Sequence, residues 1–284
     1  MAKSLLIAVL FLFAINIFAA TDNDPMMVVV IPLNKDGLII NFEKEYSIKM
    51  RCYFLDEDFE LSNEKMDMTK QLQGKRGPAY SFLDETLPES LVNAEFLYIG
   101  QFSSMESKKS GYGSLTVITR FQDALRKFLA KGGTIYFDYQ SLRPEMNSFF
   151  ESVGVTNPYK TWEQLKIEEY NYEINPKYKE QPIVSYPNNI VFPGRGWCWE
   201  NLAKNQIPVL TAKQNPGKAG MLIQTNVNGA GTIIFSNAYA IFRDKQGNKM
   251  FQENVLSLAF KRNILDYKKK KEKESGGPGS DVQL

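Results

Sequence analysis

Asp138 closes the run Thr134–Asp138, "TIYFD", and Tyr139 follows it. A carboxylate placed where a buried strand runs out can accept hydroxyl hydrogens, pair with a guanidinium or bind a cation. Arg143 and Glu145 lie just downstream. Asn34 and Asp36 follow a first apolar run, and Gln101 follows the Gly100 that ends another. In open α/β sheets, ligands settle outside the carboxyl ends of the strands, where strand order reverses. Asn34, Asp36, Gln101, Asp138, Tyr139 and Arg143 are therefore candidates to line one ligand-binding crevice. A structural reading competes: Asp138 caps the next turn or pairs with Arg143. Asp36, Asp138 and Glu145 also offer oxygens to Ca²⁺, which wants six to eight; no compact acidic motif gathers them, so no metal site is assigned.

The second stretch with chemical potential is "FPGRGWCWENL", Phe192–Leu202. Arg195 sits between glycines, and Trp197 and Trp199 flank Cys198. Exposed indoles stack on sugar rings or anchor a protein partner. The alternative is that both rings pin a long loop to the body. Tyr159, Trp162, Tyr170 and Tyr172 add to the aromatic character of this region.

Composition narrows the chemistry. The chain has no histidine, which excludes Ser-His-Asp and Cys-His catalysis and every histidine-bearing metal site. Cys52 and Cys198 are its two cysteines; they suit either one disulfide or two buried thiols. A net charge of +2 implies no basic face, so nucleic acid is not an expected partner. Gly229-x-Gly231 precedes a strand, whereas a dinucleotide fingerprint follows one and opens a helix. "SGYGS" at 110–114 lacks the lysine of a phosphate loop. No cofactor is expected.

These residues need a scaffold. "MMVVVIP" at 26–32 is a continuous run of the kind found in strands buried on both faces. Leu38, Ile39, Phe42, Tyr46 and Met50 recur at helical spacing, which predicts a helix over 38–50 and then a strand at Arg51–Leu55. "AEFLYIG" predicts a strand ending at Gly100, and "TVITRFQDALRKFLAKGG" one amphipathic helix stopped by glycine. "TIYFD" is the next strand and "EMNSFFESVGV" a helix ending at Gly154. Residues 156–206 hold all three tryptophans and many prolines and read as an insertion or elaborated loops. "AGMLIQTNVNGAGTIIFSN" predicts a C-terminal hairpin about "NGAG". Phe251, Val255, Leu258, Ala259 and Ile264 mark a closing amphipathic helix.

The ends differ from the body. Lys3, the apolar run 5–18, Ala19-Ala20 and a polar stretch have a signal-peptide layout. The expected divisions are a signal at 1–20, an α/β domain at 21–267 and a disordered lysine-rich tail at 268–284. Export places the protein in the periplasm or outside the cell, with no transmembrane segment after cleavage. The tail's lysines read either as a solvated end or as a contact for an anionic surface.

Taken in order, "LVNAEFLYIG", "RFQDALRKFLAKGGTIYFD", "MNSFFESVGV", "QPIVSYPNNI" and "GAGTIIFSNAYAIF" followed by "FQENVLSLAFKR" resemble the class I glutamine amidotransferase-like superfamily. Within it, the pattern is most similar to uncharacterised exported members and trehalose-utilisation-protein-like domains. The resemblance implies a three-layer, flavodoxin-like α/β sandwich with a mostly parallel central sheet. Catalytic members carry a cysteine on a tight elbow and a following His-Glu pair. This chain has neither a Gly-x-Cys-x-Gly elbow nor a histidine, so the resemblance implies a non-catalytic binding module. A small ligand such as a carbohydrate, or a partner protein, is the expected occupant. The alternative is a carboxylate-dependent hydrolase acting on a carbohydrate.

Overall fold

The computed structural model describes residues 24–32, 45–55, 79–83, 85–100, 112–138, 142–158, 169–190, 194–200, 202–237 and 249–275. Asn34, Asp36, Gln101, Tyr139 and the segment 1–20 lie outside the described residues.

The chain is mixed α/β. Strands β1 (Met26–Pro32), β2 (Lys49–Leu55), β3 (Ala79–Phe82), β4 (Phe96–Ile99) and β5 (Thr134–Phe137) form one half of a ten-stranded sheet. The other half is β6 (Tyr170–Ile174), β7 (Arg195–Gly196), β8 (Ile207–Ala212), β9 (Asn215–Val227) and β10 (Gly231–Ser236). Their order across the sheet is β3-β2-β1-β4-β5-β10-β9-β8-β6-β7. Every pairing from β3 to β10 is parallel, and every pairing from β10 to β7 is antiparallel. The mostly parallel sheet expected from the sequence is thus a mixed one. The reason lies in two local features. The Asn228–Ala230 turn, with Asn228 and Gly229 at positive φ, returns the chain beside β9 as a hairpin. Residues read as insertion loops then extend the sheet through β6 and β7.

Side-chain alternation splits the interior into two cores. Val28, Val30, Leu97, Ile99, Ile135, Phe137, Ile233 and Phe235 face one way. They pack under α1 (Leu87–Asn93), α2 (Tyr112–Arg120), α3 (Gln122–Ala130) and α4 (Asn147–Ser152). Met27, Val29, Phe96, Tyr98, Tyr136 and Ile234 face the other way, against α5 (Pro182–Ser185), α6 (Lys249–Ala259) and Ile264 of α7 (Ile264–Glu274). Cover on both faces explains why β1 is apolar at every position rather than at alternate ones.

Four local expectations change. Lys49 and Met50 begin β2, so the helix expected over 38–50 cannot reach its end; in a buried strand Met50 packs as well as it would on a helix face. The single helix expected around Phe121 is two, α2 and α3, joined at Phe121 with φ −121° and ψ 27°. Thr119 Oγ1 bonds back to the Leu115 carbonyl at 2.8 Å, a contact that bends helices. The closing helix also divides: Lys261 takes φ 52°, and the Asn263 side chain accepts from the Leu265 and Asp266 amides to start α7. Residues 268–274, read as the start of a disordered tail, belong to α7. Among the described residues no helix is long and apolar enough to cross a membrane.

Candidate functional site

The parallel strands present their carboxyl ends along one edge. From β1 the chain moves outward to β2 and β3, then returns to the other side of β1 as β4 and moves on to β5. The strand order therefore reverses between β1 and β4, the place where open α/β sheets generally take their ligands. Asn34 and Asp36 follow β1 in sequence and Gln101 follows β4; all three lie outside the described residues.

Asp138 stands directly after β5, beside the reversal point. Its amide donates to the Ile99 carbonyl at 2.9 Å, which fixes it against the end of β4. It is only 6% exposed. The Tyr98 hydroxyl donates to Asp138 Oδ2. Tyr98 and Tyr136 are direct register partners on β4 and β5, with ring centroids 5.7 Å apart. Alternation then carries Asp138 to the same side as both phenols. Burial, and after it the charge of Asp138, holds the Tyr136 hydroxyl well above its ordinary pKa, while Ser236 on β10 pulls the other way. The result is a buried carboxylate beside two protonated phenols, at the rim where β4, β5 and β10 end. Such a group accepts hydrogen bonds from hydroxyls or an ammonium, and the rings supply apolar faces.

Arg143 is 5% exposed and precedes the 3-10 turn Pro144–Met146. Its carbonyl accepts from Asn157 Nδ2 at 2.8 Å, and the same Asn157 nitrogen reaches Asn147 Oδ1 at 2.8 Å. This ties the segment after β5 down onto α4. Glu145 is exposed.

The aromatic stretch packs differently from a sugar platform. Trp197 and Trp199 are 8% and 9% exposed. Trp199 forms a backbone bridge with Ala219 of β9, and its ring meets Phe235 edge-on at 6.5 Å. Phe235 in turn stacks on Phe137 at 5.6 Å. Trp199 thus lies on the face of the sheet opposite Tyr98 and Asp138. The Trp197 carbonyl accepts from the Tyr172 hydroxyl at 2.6 Å. The two rings serve to pin this segment to the sheet. Arg195 is exposed on β7 and pairs with Glu169 at 3.5 Å. Trp199 therefore lies across the sheet from Asp138, whereas Gly196 and Trp197 stand beside Asn237, which follows β10 at the carboxyl edge.

No protein-family model matches the chain, and a search of curated proteins returns no match. The site therefore has to be read on its own chemistry. Cys52 is buried and Cys198 half-buried, both as free thiols. Burial pushes the Cys198 thiol up to about 12 against the pull of Lys218, so it is not an activated nucleophile. Tyr98 and Tyr136 are functional candidates that the motif reading passed over. A signal was present: each tyrosine stands one residue before the last residue of a short buried strand, where a phenol must find a polar partner.

Proposed function

We propose that the protein is an exported, non-catalytic binding module of three-layer, flavodoxin-like, amidotransferase-like architecture. Its ligand is a small polyhydroxylated molecule of the carbohydrate class, taken at the carboxyl edge of the sheet. The observation that carries this reading is Asp138: a buried carboxylate, oriented by Tyr98, at the rim beside the point where strand order reverses. A carboxylate at this rim is of the type that accepts hydrogen bonds from ligand hydroxyls. The absence of histidine from the sequence supports binding without amide cleavage.

A glycan hydrolase of the two-carboxylate kind needs a second acid about 5–10 Å from the first. The sequence singles out no such second carboxylate, and the reading with an observation behind it is binding at Asp138. The test is a thermal-shift panel of neutral mono- and disaccharides on the wild type and on Asp138→Asn. Binding at this edge predicts a stabilising shift by at least one sugar that Asp138→Asn loses. A shift that survives the substitution would place the sugar elsewhere.

A further inference from the structure

The opposite, amino edge of the parallel strands carries a second surface. Asp24 stands two residues before β1 and gathers three partners there. The Tyr267 hydroxyl donates to it at 2.8 Å, Lys271 Nζ lies at 2.8 Å and Lys49 Nζ at 3.7 Å. Tyr267 and Lys271 are one helical turn apart on α7, so this clasp lays one side of α7 against the start of β1. Ile264 is buried beneath the same helix.

The clasp decides what α7 shows to solvent. Lys269 and Lys273 are exposed on the side turned away from Asp24 and Lys270 on its flank, with Asp266, Glu272 and Glu274 as the exposed acids of the helix. Lys49 begins β2 at the same edge and is 67% exposed. Lys261 is exposed too, and its Nζ lies close over Gly132, in the turn that leads into β5. Lysines from three separate chain segments thus share one end of the molecule. Asp24 is engaged in the clasp, Glu95 with Arg262 at 3.4 Å, and Glu274 with Lys270 and Lys271, while Asp266 and Glu272 stand exposed; the lysines outnumber the acids at this end.

We infer that the lysine face of α7, with Lys49 and Lys261 beside it, is a docking surface for anionic phospholipid headgroups. Lysines beside an anionic leaflet are attracted over about one Debye length, and the contact weakens with salt. Charge complementarity favours a membrane over a nucleic acid, whose binding would need a longer basic track.

The experiment is vesicle flotation of the full chain. One set of vesicles is phosphatidylcholine alone, and the other contains about 30 mol % phosphatidylglycerol, each at about 0.05 M and 0.5 M NaCl. Comparing the two compositions subtracts any insertion by the apolar run. The expected result is a gain of roughly tenfold in the bound-to-free ratio on anionic vesicles at low salt, lost at high salt. The gain also disappears in Lys269→Glu/Lys270→Glu/Lys273→Glu and persists in the charge-matched control Lys177→Glu/Lys179→Glu. If the triple glutamate variant melts early, Lys269→Gln/Lys270→Gln/Lys273→Gln is used and should lose most of the gain. Equal binding to both vesicles, or a glutamine variant that binds as the wild type does, overturns the inference. So does low-salt binding to duplex DNA without any preference between the vesicles.

Discussion

Tyr98 on β4 donates its hydroxyl to the carboxylate of Asp138, which follows the neighbouring parallel strand β5. The two residues are 40 positions apart in sequence, and register alone brings them together. Both are buried, so each holds a polar group that needs a partner in place of water.

Their coupling is measurable. A hydrogen bond to a charged buried group is worth about 1.5–3 kcal/mol. Tyr98→Phe should therefore destabilise by roughly that amount in urea unfolding. A double-mutant cycle with Asp138→Asn should give a coupling energy of about 1–3 kcal/mol. Additive single effects would mean that the two side chains do not interact in solution.

Tyr172 is the anchor of the aromatic segment. Its hydroxyl lies 2.6 Å from the Trp197 carbonyl and 3.1 Å from that of Asn237, and its ring fills the space over Gly220. Tyr172→Phe leaves buried carbonyls short of a donor and should cost about 1–3 kcal/mol. Gly220→Ala places a methyl against the ring and should cost about 1–3 kcal/mol through overpacking. Each variant should also raise Trp fluorescence quenching by acrylamide if the segment loosens as a unit.

The clasp at Asp24 gives a pH signature. Lys271's hydrogen bond first, and Tyr267's second, hold the Asp24 carboxyl below its usual range. A carboxyl lowered in the folded state contributes stability above its unfolded value, about 3.9, and loses it as pH falls through the lower folded value. Asp24→Asn should thus be less stable than the wild type at pH 7, and the gap should close below about pH 4. Amide exchange in 264–274 should be faster in the variant at neutral pH and alike in both proteins in acid.

Cys198 should be slow to label. With its thiol at about 12, little thiolate exists at pH 8. Iodoacetamide should modify native Cys198 at least about tenfold more slowly than a free cysteine, with a rate that keeps rising beyond pH 9. Labelling at the free-cysteine rate would contradict its burial.

Much of the parallel half was legible because its strands are buried on both faces. The apolar runs at 26–32 and 134–137 could hardly be anything but interior strands, and Gly132 and Gly154 stop their helices at positive φ. The antiparallel extension was harder to read. Pro208 sits inside β8, and β6 is half-exposed, so neither has the pattern of a central strand. The start of α7 read as a solvated tail because the partner that holds Tyr267 and Lys271, Asp24, is more than 240 residues away. At the site, Asp138 was visible as a carboxylate ending a strand, but Tyr98 was not. Its role depends on register between β4 and β5, which composition does not encode. Trp197 and Trp199 advertised a binding face, yet rings of that size are equally suited to closing a core, and Phe235 and Ala219 are there to receive Trp199.

Titration of the sugars that stabilise the wild type, followed by NMR on protein labelled at tyrosine, tests the central claim most directly. The account predicts that the Tyr98 and Tyr136 resonances shift on binding and that Asp138→Asn abolishes both the shift and the affinity. Sugar binding that leaves both tyrosines unmoved, or steady release of ammonia from glutamine by the purified protein, would contradict it.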